Sequence, residues 1–257
     1  VIIAGGAGDN AAAACGCGVI SEGTGFVSLG TSGVLLAARN GCFPAPETAI
    51  HTFCHAVPEK WYQMGVILAA TDCLNWLSRI TEKSPSDLSN KLSKELSGPS
   101  DVIFAPYLSG ERTPHNDSLT RGAFIGLDVR HDIQNVTQAV LEGVCFALKD
   151  SLLALNKTGA RVEKLFATGG GVNSKFWLKS LATILNIPLS IPKKGELGAA
   201  LGAARLAIIA RENMNMKNVM KEPIVEETIE PCSDLLDAYE ETYRVYKNIY
   251  PSIKVLK

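Results

Sequence analysis

The chain has 257 residues, of which 46% are hydrophobic and 20% are charged, a composition ordinary for a globular protein with a sizeable core. Its 25 basic and 26 acidic residues nearly cancel, so the charge balance gives no sign of nucleic acid or an anionic membrane as a partner. The longest apolar runs, such as LAIIA, are far too short to span a bilayer.

Strands and helices alternate through the first half of the chain. The sequence predicts a short apolar strand and glycine turn over 1–8 and a small-residue helix over 9–18. The first residues do not have the pattern of a signal peptide, and a strand at residue 1 is typical of a piece of a longer protein. The stretch GTGFVSLGTSGVLLAARNG predicts a β-hairpin, and strands continue over 51–63. Helical spacing of apolar residues from Ile67 onward predicts a helix, and a polar helix follows Ser84.

The second half predicts a buried strand in DVIFAPYL, a long polar loop and a further strand in GAFIGLDV. A long helix follows over roughly 132–157, then the strand EKLFATGGG with its glycine turn and the helix NSKFWLKSLATILN. PLSIP is predicted to be an edge strand, and an amphipathic helix covers 232–250 with tyrosines on one face. This alternation predicts an α/β domain, a mixed β-sheet with helices on both faces.

The seven cysteines include no Cys-x-x-Cys pair, which indicates free thiols in a reducing, cytoplasmic compartment. His51 and His55 flank Cys54, but the residues between them are typical of a strand, which would hold the two imidazoles about 13 Å apart. We therefore expect no protein metal site there.

The opening GGAGDN leaves alternatives for Asp9. Gly6-x-Gly8-x-x-Ala11 fits a dinucleotide-binding fingerprint, but a carboxylate in the first helical turn would repel the pyrophosphate that a helix N-terminus attracts. That fingerprint also needs an acidic residue at the end of a second strand, and the nearest candidate, Glu22, lies in a predicted loop. Asp9 is then either a helix cap or a carboxylate with a chemical role.

Two further glycine turns follow strands. SLGTSGV places Thr31 and Ser32 at a hairpin tip, where backbone amides and hydroxyls can approach phosphate oxygens. FATGGGVNSKFW runs from a strand through three glycines into a helix, and bare backbone there admits a flat ring or a phosphate. Taken alone, the first is equally an ordinary hairpin turn and the second a tight strand–helix packing.

Three glycine turns and one carboxylate at strand ends together favour phosphoryl transfer, in which two turns hold a nucleotide and the carboxylate accepts a hydroxyl proton. The chain contains neither a G-x-x-x-x-G-K-[ST] motif nor the protein-kinase motif set, so those two classes are excluded.

In this order, the motifs resemble the FGGY family of carbohydrate kinases, which have the actin-like, ribonuclease-H-like ATPase fold. GAFIGLDVRHDIQNVTQAVLEG resembles the C-terminal signature of that family over its whole length. HTFCHAVPEKWYQMGV and FAPYLSGERTPHNDSLTRGAFIGL are most similar to the members that convert D-xylulose to D-xylulose 5-phosphate. The resemblance covers roughly residues 1–210, and the tail beyond 211 matches only in character.

The resemblance implies roles for individual residues. GGAGDN is similar to the segment that carries the catalytic base, which implies that role for Asp9 and a place near the sugar for Asn10. GTSG is similar to the phosphate-binding turn, TGGGVNS to the adenosine-binding turn, and TDCLNWL to a helix with a polar residue beside the nucleotide. The implied ATP-binding residues are Gly30, Thr31, Ser32, Asn75, Gly170, Gly171 and Ser174.

ATP with Mg²⁺ and a small sugar are the implied ligands. The family has an N-terminal domain with most of the sugar contacts, so residues 1–257 are expected to be the C-terminal nucleotide-binding domain, inactive on sugar without that partner. A homodimer is an open alternative to a monomer. A sister kinase acting on gluconate, glycerol or ribulose, and a non-enzymatic actin-like module that binds nucleotide to switch a partner surface, also stay open.

The helix predicted in GELGAALGAARLA carries Gly198 and Gly202 four residues apart, and hence on one face. Small residues in such a row allow two helices to pack closely, which is the interpretation that we favour. The alternative is a direct contact between the nucleotide and Gly198 or Glu196.

Overall fold

The computed structural model describes residues 3–193, 198–212 and 214–255. The strands in this part of the chain are β1 (Gly23–Leu29), β2 (Gly33–Arg39), β3 (His51–Cys54), β4 (Trp61–Ile67), β5 (Ile103–Ala105), β6 (Ala123–Ile125), β7 (Val162–Thr168), β8 (Leu189–Pro192) and β9 (Val225–Ile229). The α-helices are α1 (Asp9–Cys17), α2 (Thr71–Thr81), α3 (Pro85–Asn90), α4 (Ile133–Lys157), α5 (Lys175–Leu185), α6 (Gly198–Glu212), α7 (Met216–Val219), α8 (Leu236–Tyr246) and α9 (Ile249–Lys254). None of these helices has both the length and the hydropathy that crossing a bilayer requires.

Seven strands form one mixed sheet in the order β3-β4-β2-β1-β7-β8-β9, and β5 pairs separately with β6. The three central strands β1, β7 and β8 run parallel to one another, whereas the strands on both flanks are antiparallel to their neighbours. The register of β1 on β7 places Ser28 opposite Thr168 at the end of both strands. The predicted mixed sheet is confirmed.

Helices cover both faces of this sheet, as predicted. Side chains alternate between the faces along a strand, so neighbours in β1 enter different cores. Phe26 packs in a buried cluster with Ala11 and Ala14 of α1, while Val27 belongs to a larger cluster that contains residues of α2, α4 and α5. The long α4 begins after a capping box at Asp132 and ends at Lys157. The helix predicted over 132–157 is therefore confirmed.

The helices α1 and α6 approach each other to backbone contact. A Cβ atom on Gly202 would lie 1.7 Å from the carbonyl oxygen of Ala12, and one on Gly16 would lie 1.8 Å from the carbonyl oxygen of Gly198. Any side chain larger than hydrogen at these two positions would push the helices apart. The prediction that the small residues of α6 serve close helix packing is confirmed, and α1 is the partner helix.

The tail helix α8 lies beside α4 and α5, and α9 follows it, with Tyr250 stacked on His115. Tyr239 donates a hydrogen bond to Glu142 Oε1 at 2.9 Å, and Tyr243 donates one to Asp150 Oδ1, so hydroxyls of the tail satisfy two carboxyl groups of α4. Tyr239, Tyr243 and Tyr246 are all buried. The amphipathic tyrosine face predicted for the tail is confirmed, although two short helices replace the single predicted one.

Three local predictions are wrong. The helix expected from Ile67 begins only at Thr71, because Ile67 is the last residue of β4 and pairs with Gly33. PLSIP is not an edge strand, because β9 from the tail pairs along its outer side. Residues 3–8 form no strand, since none of the described strands pairs with them, and Ile3 is 92% exposed; residues 1 and 2 lie outside the described part.

Replacing Gly202 by alanine should lower the free energy of unfolding by about 1–3 kcal/mol, the usual cost of overpacking, because the new methyl group meets the backbone of α1. Denaturant unfolding measures this change. The matched control is Gly198→Ala, one turn earlier on the same helix, where the new Cβ would lie 3.9 Å from its nearest neighbour, Cys17 Sγ. Equal stability of the two variants would contradict the importance of the close contact.

Candidate functional site

Parallel pairing of β1 with β7 brings two glycine turns to the same edge of the sheet. The first turn, Gly30–Ser32, follows β1, and the second begins with Gly169 after β7. Gly169 has a φ of 89°, and a Cβ atom there would lie 2.6 Å from the carbonyl oxygen of Leu29. Only glycine fits this left-handed backbone at such a close approach. The two turns that were predicted to hold a nucleotide are therefore neighbours.

The first turn is held from behind by the N-terminus of α2. Ala70 donates its backbone N–H to Thr31 O at 2.8 Å, and Thr71 donates its N–H to Gly30 O at 2.9 Å. The Thr71 hydroxyl donates to the same Gly30 oxygen at 2.9 Å. The side chains of Thr31 and Ser32 are exposed. The carbonyl groups of the turn thus face α2, and its hydroxyl groups are accessible to a ligand with oxygen acceptors.

A cavity of about 480 Å³ opens beside the second turn, a size typical of small-molecule pockets. Four residues singled out from the sequence line it: Asn75 on α2, Gly170 and Gly171 in the turn, and Ser174 at the start of α5. Ser174 is the N-cap of α5, and its hydroxyl oxygen accepts a hydrogen bond from the N–H of Trp177 at 3.3 Å. The structure therefore brings together residues that are up to 99 positions apart in sequence.

The short helix α3 forms another wall of this cavity, and the sequence analysis missed its contribution. It supplies Pro85, Ser86, Ser89 and Asn90 to the lining, while Leu88 points into the core. The Ser84–Pro85 signal does predict the helix, and Ser84 Oγ accepts a hydrogen bond from the N–H of Asp87 at 3.1 Å. Nothing local in the sequence indicates that this helix lies opposite a glycine turn.

A second cavity of about 350 Å³ adjoins the first at Gly170, which lines both. Its walls include Ser28 and Thr168 at the ends of the parallel strands, and Gly198 at the start of α6. Gly198 therefore borders a cavity as well as α1, and its contact with a ligand stays a prediction. Glu196, the other residue named for that contact, lies outside the described residues.

Asp9 and Asn10 lie in the first turn of α1, and of the described residues they line neither of these two cavities. Gly8, not Asp9, occupies the N-cap position, and no side chain caps this helix. Asp9 Oδ1 accepts a hydrogen bond from the N–H of its neighbour Asn10 at 2.8 Å, and the Asp9 side chain is exposed. Burial, with the negative charge of Asp9 in addition, raises the pKa of the nearby Tyr62 hydroxyl. The carboxylate is accessible, and Asp9 does not occupy the N-cap position; its chemical role stays a prediction.

Glu111 lies buried in the polar loop that follows β5, behind the start of α2. Its Oε1 accepts hydrogen bonds from the N–H of Leu68 at 3.2 Å and from its own neighbour Arg112 at 2.7 Å. Burial raises the pKa of this carboxyl to about 8, against the lowering effect of these two hydrogen bonds. The sequence contained no local signal for this contact, because 43 residues separate Glu111 from Leu68.

The histidines and cysteines have ordinary surroundings. His51 stacks on Phe53 with ring centroids 5.6 Å apart, and His55 Nε2 lies 3.1 Å from Val19 O. Within the part of the chain that the structure describes, no group of three or more histidine, cysteine, aspartate or glutamate residues is arranged to hold a metal ion. All seven cysteines, each within that part, are free thiols.

Residues 25–211 match the family model for the C-terminal domain of the FGGY family of carbohydrate kinases. This match covers most of the chain, which therefore belongs to that family. The chain is 37% identical to the xylulose kinase of Escherichia coli K12 over 255 residues, which are 98% of this chain and 52% of that protein. It spans about half the length of the curated relatives that it matches.

Solved structures resemble the chain over nearly its whole length. One is a protein described as a xyloylose kinase from Brucella ovis, with 51% identity, a TM-score of 0.98, and coverage of 100% of this chain and 53% of that one. Another is the xylulose kinase of Rhodospirillum rubrum, with 26% identity, a TM-score of 0.87, and coverage of 98% and 51%. The predicted actin-like ATPase fold is confirmed.

The free energy of unfolding should fall as the pH rises from 6.5 to 8. Burial raises the folded pKa of Glu111 to about 8 and that of Glu142 to about 7, above an ordinary value of 4.5, so the folded state binds more protons than the unfolded state in this window. Each group contributes at most about 1.4 kcal/mol per pH unit. The lowered pKa values of His51, His55 and His115 act in the opposite direction, and this effect fades as the pH rises above their ordinary pKa of 6.5.

Urea unfolding of the wild type and of Glu111→Gln at pH 6.5 and pH 8 measures this dependence. The variant should show a smaller loss across the window, because its amide does not titrate. A wild-type stability that stays level or rises from pH 6.5 to pH 8 would contradict the raised pKa values.

Proposed function

We propose that this chain is the nucleotide-binding half of an ATP-dependent kinase that phosphorylates D-xylulose to D-xylulose 5-phosphate. The observation that carries the proposal is the convergence of Asn75, Gly170, Gly171 and Ser174 on one cavity, next to the exposed hydroxyl turn. Membership of a family of carbohydrate kinases and the similarity to xylulose kinases support the same reaction. The sugar is the part of the proposal that rests on similarity alone.

In this proposal, the adenosine of ATP occupies the cavity between α2, α3 and the second turn. A cavity with apolar walls from Leu74, Pro85 and Trp177 suits a flat base, and the amide of Asn75 can hydrogen-bond to its polar edge. The phosphates would then extend along the edge of the sheet towards Gly30, Thr31 and Ser32, whose hydroxyl and backbone N–H groups are donors for phosphate oxygens.

We assign Asp9 as the general base. Its exposed carboxylate accepts the proton of a sugar hydroxyl as the hydroxyl oxygen attacks the γ-phosphorus of ATP. A bond forms between that oxygen and phosphorus, the bond between the γ-phosphorus and the bridging oxygen breaks, and ADP leaves. Asn10, next to Asp9, offers an amide to the sugar.

Mg²⁺ is the cofactor that we propose, and the donors present fit it. Mg²⁺ keeps several waters and is held by one or two carboxylates together with substrate phosphates, so it needs no dedicated cage of side chains. The exposed hydroxyls of Thr31 and Ser32 are hard oxygen donors that would hold the ion together with the phosphates and waters, which leaves Asp9 to accept the proton. When bound with ATP, the ion neutralises charge on the phosphates.

We propose further that a second domain, of the kind implied by relatives twice as long, supplies most contacts to the sugar. An assay of the complete natural polypeptide with ATP and a panel of D-xylulose, gluconate, glycerol and ribulose tests substrate and class together. Preferred turnover of D-xylulose is expected. Preference for another of these sugars would identify a sister kinase, and nucleotide binding without turnover of any sugar would favour a nucleotide-switch module.

Asp9→Asn in the complete polypeptide should lower kcat by about 10²–10⁴, the usual worth of a positioned base, because the amide cannot accept the hydroxyl proton. The affinity for ATP should change little, since Asp9 lies outside the lining of the proposed adenosine cavity. Steady-state kinetics and ATP titration on the same preparation measure both quantities. Near-normal kcat would remove Asp9 from the chemistry.

Gly170→Val should weaken ATP binding by about tenfold or more, the effect of roughly 1.4 kcal/mol, because the new side chain occupies space at the junction of the two cavities. The fold should tolerate it, since a Cβ atom at Gly170 meets nothing within 4 Å. Gly171→Ala is the contrasting variant, because its Cβ would lie 2.6 Å from Leu29 Cβ and should lower stability. Calorimetric titration and denaturant unfolding of both variants give the comparison; unchanged ATP affinity in Gly170→Val would exclude the cavity as the adenosine site.

A further inference from the structure

The loop between β5 and β6 is attached to the end of β4 and to the next residue, Leu68, by hydrogen bonds of Glu111 and Thr113. Besides the contacts of Glu111 with Leu68 and Arg112, the N–H of Thr113 donates to Val66 O at 3.0 Å. The Thr113 hydroxyl oxygen accepts from the N–H of Val66 at 3.0 Å. The loop therefore extends the hydrogen bonding of the sheet beyond β4, and Glu111 holds the last position of this contact.

The residues just after Leu68 hold the hydroxyl turn. Ala70 and Thr71 donate their backbone N–H groups to Thr31 and Gly30, over distances of 2.8 and 2.9 Å. Only Ala69 separates Leu68 from this pair, and both Ala69 and Ala70 are buried with about 1% exposure or less. The segment from Leu68 to Thr71 thus contacts Glu111 at one end and the turn at the other. It is short and buried, so a displacement at Leu68 should be passed on to the turn.

The loop that carries Glu111 is itself held by the tail. The ring of His115 stacks on Tyr250 of α9 with centroids 3.6 Å apart. Tyr107, at the start of the loop, has its hydroxyl 3.2 Å from that of Tyr246 on α8. The loop is fixed by the tail on one side, and the segment from Leu68 to Thr71 is fixed by the core on the other. If the side chain of Glu111 became shorter, the backbone near Leu68 would therefore have to move, because the loop cannot shift to compensate.

We propose that Glu111 is a positioning residue for the phosphate-binding turn: its carboxyl oxygen fixes Leu68, and Leu68 fixes the two amides that hold Gly30 and Thr31. Glu111 touches no substrate in this role. The inference rests on the proposed function, since it presumes that the turn binds the phosphates of ATP. It adds a determinant of nucleotide binding from a loop that lines neither of the two cavities described.

The loss of a buried hydrogen bond in this path should affect ATP and adenosine differently. Adenosine would bind in the cavity lined by Asn75 and Gly170, to which the turn contributes no lining residue and the segment from Leu68 to Thr71 contributes only Thr71. ATP needs the turn as well, so its binding should be weakened more than that of adenosine. Substitution of a purely structural residue would weaken the binding of both ligands equally, or the binding of neither. The ratio of the two affinities is therefore the readout.

Two substitutions of Glu111 separate the effect of side-chain length from the effect of the carboxyl group. Glu111→Asp keeps a carboxyl group but withdraws it by one methylene from Leu68, and it should weaken ATP binding by about tenfold while adenosine binding changes by less than about twofold. Glu111→Gln keeps the acceptor oxygen in reach, and it should retain ATP affinity within about threefold. Titrations of ATP and adenosine into the complete natural polypeptide measure all four values.

Glu142→Asp is the matched control. Glu142 is also a buried glutamate and accepts a backbone N–H, that of Ser100 at 2.9 Å, but this contact does not lead to the turn. The control should lose stability and keep both affinities. Parallel losses for ATP and adenosine in Glu111→Asp, or no loss of either, would overturn the inference. A wild type that binds neither ligand would instead refute the proposed function.

If Glu111→Asp does not fold, amide hydrogen exchange tests whether Glu111 is coupled to the turn. At pH 9 the Glu111 carboxyl is mostly ionised in the wild type, because burial raises its pKa only to about 8. The amide oxygen of Glu111→Gln is a weaker acceptor than that carboxylate, so at this pH exchange at Leu68 should accelerate, and exchange at Ala70 and Thr71 should accelerate with it. Faster exchange at Leu68 alone, or unchanged exchange at all three amides, would show that Glu111 is not coupled to the turn and would overturn the inference.

Discussion

Parallel pairing of β1 with β7 is the constraint on which the site depends. Parallel neighbours end at the same edge of a sheet, so the turns that follow them must share that edge. Their separation is then set by how closely two backbones can approach, and Gly169 makes the approach possible because it has no Cβ to meet Leu29 O. The cavity, the hydroxyl turn and the junction at Gly170 all follow from this one register.

Around this edge, contacts of two kinds fix the geometry. On the α1 face, glycine and alanine remove side chains so that α1 and α6 meet at their backbones, which leaves little freedom for the helix that carries Asp9. On the other face, carboxyl groups are buried against backbone N–H groups and tyrosine hydroxyls, as at Glu111 and Glu142. Burying such groups is unfavourable unless they are hydrogen-bonded, so their partners must be in place for the fold to form.

Local signals in the sequence account for much of the fold. The hairpin, the serine cap at Ser174 and the capping box at Asp132 depend on residues within a few positions of one another, and each was predictable. The error at Ile67 arose because a buried apolar run has the same appearance in a strand and in a helix. The pairing of β9 with β8, the position of α3 over the cavity and the contact of Glu111 with Leu68 link distant segments, which no local pattern specifies.

The tail has a consequence for how this domain can be divided. The family model ends at residue 211, but β9 beyond it covers the outer side of β8, and α8 supplies the hydroxyls that satisfy Glu142 and Asp150. Excision at that boundary would expose an unpaired strand edge, which is a template for aggregation, and would remove one hydrogen-bond donor from each of the buried acids Glu142 and Asp150. The segment that the family model matches is thus smaller than the folded domain, and chimaeric kinases assembled from this domain need the sequence through α9.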